Sequence, residues 1–189
     1  MSRLYRLASF SFPLALIMLV ICQALILSPI MIVEKVVPMF SVDRVKIEVY
    51  RNGQLIYEEI THNIVTNAGL NHTLQQFVNP NATQIVKYIA LSTDSASPSA
   101  TDTSLAGEIT SGGLERSAGT ITVINETAYE VEHTFTATAS FTGVQKSGLF
   151  AVPYGDPNDR LLFEALFSAV NLESGDQIKI TWTINFKSG

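Results

Sequence analysis

Along residues 177–186 polar and apolar side chains alternate without a break. Ile178, Ile180, Trp182, Ile184 and Phe186 take one face of an extended chain, and Gln177, Lys179, Thr181, Thr183 and Asn185 take the other, because successive β side chains point to opposite sides. Such a strand buries one face. The same period appears at residues 44–51, where Val45, Ile47 and Val49 oppose Lys46 and Glu48, and Asn52-Gly53 then separates this run from Leu55-Ile56-Tyr57. Asn-Gly between two β-patterned runs signals a type I′ turn, since both residues tolerate positive φ, and predicts a hairpin over residues 44–60. Further strands are predicted at 87–92, 120–124, 129–141, 145–152 and 161–167. Gly119, Gly143, Pro153-Tyr154-Gly155-Asp156-Pro157 and Gly175-Asp176 bound them.

The period changes at residues 67–78. Leu70, Leu74, Phe77 and Val78 recur at i, i+4, i+7 and i+8, which is one face of a helix. The helix should stop at Asn79-Pro80, because proline disfavours helical backbone in the residue before it. Residues 92–103 are rich in Ser, Thr, Ala, Asp and Pro and read as a loop. About eight strands with one short helix predict a mainly β fold, a single β-sandwich or jelly-roll-like domain over residues 44–189. Phe135, Phe141, Phe150, Phe163, Phe167, Trp182 and Phe186 fall at inward strand positions and are expected to fill its core.

The N-terminus obeys a different rule. An uncharged, mostly apolar run begins at Phe10 and ends at Val33, and about 20 helical residues suffice to cross the hydrocarbon of a bilayer. A transmembrane helix within residues 1–35, a linker at 36–43 and an exterior domain from residue 44 are therefore expected. Arg3 and Arg6 precede the run while Glu34 and Lys35 cancel after it. The positive-inside bias then places the N-terminus in the cytoplasm and the rest outside a single-pass cell membrane anchor. A cleaved signal segment is the competing reading; the length of the run and the lack of a clear A-x-A site favour retention. Cys22 lies inside the run as a buried thiol.

Charge and composition narrow the exterior part. Of 12 basic and 17 acidic residues, nine basic and sixteen acidic fall after residue 40, a charge of −7. A nucleic-acid surface needs clustered cations and is not expected. No cysteine follows Cys22, so disulfides cannot staple the domain. Asn71-His72-Thr73, Asn81-Ala82-Thr83 and Asn125-Glu126-Thr127 are N-x-S/T triplets, making Asn71, Asn81 and Asn125 candidate glycosylation sites on a translocated domain.

Catalytic spacing is not found. His62, His72 and His133 do not fall in H-x-x-x-H or H-E-x-x-H spacing, and there is no G-x-S-x-G, G-x-G-x-x-G or phosphate-binding loop. Neither an enzyme, a cofactor nor a small-molecule substrate is expected. Asp156, Asn158 and Asp159 supply hard oxygen ligands of the kind calcium takes, and form the candidate metal site. They are also ordinary turn residues. Glu58-Glu59 and Glu130-Val131-Glu132 read as solvated strand faces, with Glu130 and Glu132 on one side. Tyr50, Tyr57, Tyr88 and Tyr154 are the residues a partner or carbohydrate platform would use.

Several segments in order resemble tailed-phage virion proteins of the tail, baseplate and fibre type, found also in prophage-like regions of bacterial and archaeal genomes. They are Asn63-Ile64-Val65-Thr66-Asn67-Ala68-Gly69-Leu70, Tyr88-Ile89-Ala90-Leu91-Ser92, Ala100-Thr101-Asp102-Thr103-Ser104-Leu105-Ala106-Gly107-Glu108 and Leu114-Glu115-Arg116. His133-Thr134-Phe135-Thr136-Ala137, Ser147-Gly148-Leu149-Phe150, Leu161-Leu162-Phe163 and residues 175–184 continue the series. The resemblance spans about residues 60–186 and implies a non-enzymatic structural module that assembles with copies of itself or with neighbouring subunits. The expected role is that of a subunit of a surface filament or a virion or tail-like assembly, anchored in membrane lipid at least before export. Tail proteins of that kind normally lack an N-terminal span, a departure that favours a cell-surface descendant or an exported filament subunit over a virion role. The alternative is a monomeric membrane-anchored adhesin or ligand-binding module, with residues 92–103 and 152–160 as its contact loops.

Overall fold

The computed structural model of the protein describes residues 40–186. The expected membrane span from Phe10 to Val33, and with it the anchor and the first part of the linker, lies outside the described residues. Among those described, no helix is long and apolar enough to cross a membrane.

Two antiparallel five-stranded sheets face each other. Strands β1 (Phe40–Arg51), β2 (Gln54–Thr61), β6 (Thr120–Asn125), β7 (Ala128–Thr136) and β10 (Gln177–Phe186) form the first, in the order β2-β1-β10-β7-β6. Strands β3 (Asn63–Val65), β4 (Tyr88–Ser92), β5 (Ser117–Ala118), β8 (Phe141–Phe150) and β9 (Phe163–Leu172) form the second, in the order β3-β9-β8-β4-β5. The two-residue period explains the first sheet directly: Val45 pairs with Trp182, Ile47 with Ile180 and Val49 with Ile178. All six side chains are buried. Ser147 on β8 accepts a hydrogen bond from Trp182 Nε1 at 3.3 Å, joining the two sheets inside the shared core.

The hairpin forms as expected, with Asn52 and Gly53 at φ 52° and 76°, the positive values of a type I′ turn. Strand β1 begins at Phe40, inside the segment expected as linker. Residues 129–141 do not form one strand. The chain leaves β7 after Thr136, and Ala137 bonds to the β9–β10 turn, its N–H reaching Asp176 O at 2.9 Å and its carbonyl accepting from Gly175 at 2.8 Å. It then enters the second sheet as β8. The alternating pattern continues through a change of hydrogen-bond partners, which a one-dimensional pattern does not register. Strands β3 and β5 are too short to display a period.

Helix α1 (Asn67–Val78) has the expected bounds, and its apolar face points out. Leu70, Leu74, Phe77 and Val78 are 50%, 54%, 70% and 61% exposed. The buried helical residue is Gly69, and a Cβ built there would stand 2.3 Å from the carbonyl oxygen of Leu162. Thr66 fixes this rotation. It caps the helix by accepting from Gly69 N at 3.0 Å and donates its hydroxyl to Leu161 O at 2.6 Å. The helix thus rests on the 161–162 backbone through its smallest residue.

Phe135, Phe150, Phe163, Phe167 and Trp182 are buried in the core, whereas Phe141 is half-buried and Phe186 is 45% exposed. Phe186 closes β10 at the rim, where the opposite sheet no longer covers it. The outer face of the first sheet is less wet than expected: Thr181 and Thr183 are buried beneath Glu132 and Glu130, to which they donate at 3.2 Å. Lys179 pairs with Glu132 at 2.8 Å, and Lys46 bridges Glu48 and Glu58 at 2.9 Å each. Long charged side chains there cover the threonines with their stems.

Candidate functional site

Strand β6 is the open edge of the first sheet. It pairs on one side, with β7, and all six of its residues, Thr120 to Asn125, are exposed. None is charged. Ile121 and Val123 stand opposite Val131 and Tyr129 and point inward, while Thr120 and Thr122 stand opposite Glu132 and Glu130 and point outward. The pairing shifts between Val123 and Asn125, which leaves Ile124 in the irregularity. Val123 is 74% exposed and Ile124 50%.

The opposite edge is guarded. Strand β2 carries Glu58 and Glu59; Glu59 accepts from Ser168 N at 2.9 Å and Thr61 donates to Leu166 O at 2.9 Å. These bonds tie β2 to β9. Natural sheets blunt their edges with charge, bulges or covering chain, because an unpaired row of N–H and C=O groups is a template for another strand. Strand β6 has only its terminal irregularity for that purpose.

Beneath the inner side of β6 lies an apolar groove of about 490 Å³, with Phe77 and Ile85 on one wall and Val123, Tyr129 and Phe186 on the other. The Tyr129 and Phe186 rings stack at 6.3 Å between centroids. Burial lowers the pKa of His72, which lines the groove, and keeps its ring neutral at physiological pH. Helix α1 extends the apolar surface through Leu74, Phe77 and Val78.

No protein-family model, curated protein or solved structure matches the chain.

The candidate glycosylation residues surround this flank. Asn125 lines the groove, and Asn71 and Asn81 line a neighbouring pocket that shares His72, Gln76 and Gln84 with it. All three are exposed. The candidate calcium residues are organised by the turn itself. Asp156 Oδ1 accepts from Asn158 N at 2.8 Å, and Asp159 Oδ1 accepts from Arg116 at 2.6 Å. Among the described residues no group of three or more His, Cys, Asp and Glu side chains is placed to hold a metal. His62 follows β2, His72 is on α1 and His133 is on β7 against Phe135; the structure does not bring them together. Tyr154 is 61% exposed, and Tyr50, Tyr57 and Tyr88 are half-buried on three different strands.

Two buried ionic clusters were not anticipated from the sequence, and both fasten loops to the outer face of the second sheet. Arg116 grips Glu108 with two bonds of 2.7 and 2.8 Å, reaches Asp159, and lays its guanidinium 3.5 Å from the centre of the Phe150 ring. This joins residues 92–118 to the 152–160 turn. Lys146 on β8 meets Asp94 at 2.5 Å and Glu164 on β9 at 3.1 Å. A signal for the second cluster was present: Glu164 interrupts the apolar run Leu161-Leu162-Phe163 and Ala165-Leu166-Phe167, and a charge there must be paired if it is buried.

Proposed function

We propose that this chain is a non-enzymatic structural subunit of an extracellular assembly, a filament or tail-like structure, joined to its neighbours through the β6 flank. The observation that carries the reading is the uncharged edge strand β6, exposed along its whole length and bordering an apolar groove. A second copy presenting its own β6 in antiparallel fashion continues the sheet, and the inward Ile121 and Val123 of both copies are then covered. The segmental resemblance to phage tail proteins supports the same class, as does a jelly-roll-like reading of the two sheets. The N-terminal apolar run supports a membrane-anchored stage, with the β domain outside the cell and the first residues in the cytoplasm.

The test is the size of the purified full-length protein by sedimentation velocity and electron microscopy. Oligomers or filaments that disperse on Val123→Lys support the proposal; a native protein that stays monomeric at high concentration overturns it.

The monomeric anchored binding module is the second reading. It is favoured by Arg116, which ties the 152–160 contact loop to Glu108 beside the exposed Tyr154. A strictly monomeric native protein would support that reading.

A further inference from the structure

We propose that Lys146 and Asp94 condense to an amide, a covalent bridge between two side chains of one chain, with Glu164 as the group that carries the protons.

The fold delivers the three groups to one point. Lys146 on β8 stands opposite Ser92, the last residue of β4, and Asp94 follows two residues later. Glu164 on β9 stands opposite Gly148, so it shares a face with Lys146. Loop residues 92–118 cover that face, leaving the Lys146 and Glu164 side chains 2% exposed and Asp94 28%. The Lys146 amine lies 2.5 Å from Asp94 Oδ2 and 3.1 Å from Glu164 Oε1.

A simple ion pair needs one carboxylate, and Asp94 provides it. Glu164 is a second one, and its Oε2 is buried without a hydrogen-bond partner. No donor reaches that oxygen, and a proton on Glu164 lets it face the Asp102 carboxylate beside it, since a neutral acid loses far less than a carboxylate when it leaves water. Burial pushes the Glu164 pKa up, and the neighbouring Asp102 adds to the effect against the pull of Lys146. For Lys146, burial opposes the charge but its bonds to Asp94 and Glu164 outweigh it, so the unreacted pair rests as ammonium and carboxylate. Transfer of one proton from Lys146 to Asp94 gives an amine facing a neutral acid with no change in net charge. Loss of solvent narrows the gap between those two states.

The remaining steps balance without an oxidant or reductant. The Lys146 nitrogen attacks Asp94 Cγ, Glu164 protonates the departing oxygen and recovers the proton shed by nitrogen, a C–N bond replaces a C–O bond, and one water leaves. A pocket of about 290 Å³, lined by Asp94, Ser97, Thr101, Lys146 and Glu164 among others, adjoins the three groups and gives the water an exit. The bridged positions are 52 residues apart. The described domain contains no cysteine, and this bond would give it the chain closure that a disulfide gives other exterior domains.

Mass spectrometry of the full-length protein after prolonged incubation at neutral pH tests the proposal. Trypsin should leave Lys146 uncut and yield peptide 88–116 joined to peptide 117–160, one water lighter than their sum. Lys146→Arg, which keeps the charge but cannot form the amide, should abolish that species. Recovery of the native protein at full mass, with Lys146 cut by trypsin, overturns the bridge irrespective of how any variant folds. Glu164→Gln that bridges as completely as the parent overturns the role given to Glu164.

Discussion

Arg51 clasps Asp176 across 125 residues of sequence. Its Nε donates at 3.0 Å to Oδ1 and its terminal nitrogen at 2.7 Å to Oδ2, while the N–H of Glu173 bonds to Oδ2 at 2.8 Å. The last residue of β1 is thereby locked to the turn that starts β10. The guanidinium holds the Asp176 carboxyl below its ordinary pKa of 3.8. A depressed folded-state value means that the stabilisation is complete above the ordinary carboxylate range and is lost as pH falls through the folded-state pKa. Asp176→Asn should cost about 2 kcal/mol at neutral pH. The gap between the urea midpoints of parent and variant should narrow as pH falls below the ordinary carboxylate range; a gap that does not change with pH would contradict the assignment.

Gly69→Ala separates helix propensity from packing. Alanine is the better helix former by about 1 kcal/mol, so an isolated helix would gain. Here the added methyl meets the Leu162 carbonyl, and a net loss of about 1–3 kcal/mol is expected. Thermal denaturation decides the sign.

Trp182 is fully buried where the two sheets meet. Trp182→Ala should cost about 3–5 kcal/mol as a large-to-small core change. Ser147→Ala removes the acceptor of the indole N–H and should cost about 1–2 kcal/mol by leaving a buried donor unpaired. Denaturant midpoints measure both.

Val123→Lys places a charge on the open edge at a side chain that is 74% exposed. Stability should change by less than about 0.5 kcal/mol, while the sedimentation coefficient of any assembly falls to that of the monomer. A large fall in melting temperature would show that Val123 belongs to the core.

Local periodicity made β10, the β1–β2 hairpin and the ends of α1 legible, because each is specified by neighbours in sequence. The orientation of α1 was not legible: it follows from a backbone oxygen 93 residues downstream of Gly69, and the exposed Leu70, Leu74 and Phe77 carry the stronger pattern. Residues 120–124 read correctly as strand, yet nothing in them distinguishes an edge from an interior position. That depends on which strands lie beside β7. Asp159 looked available to calcium because its partner Arg116 is 43 residues away. Glu164 was the missed clue, a carboxylate set within an apolar run.

Because β1 and β10 run antiparallel with Phe40 opposite Phe186, both boundaries of the described chain leave from one pole. Tension between residues 40 and 186 would peel the central pair open rung by rung, beginning at that pole and reaching the Arg51–Asp176 clasp last. Tension between Phe40 on β1 and Gln177 at the opposite end of β10 would instead load every rung at once, and the same two strands would resist a far greater pull.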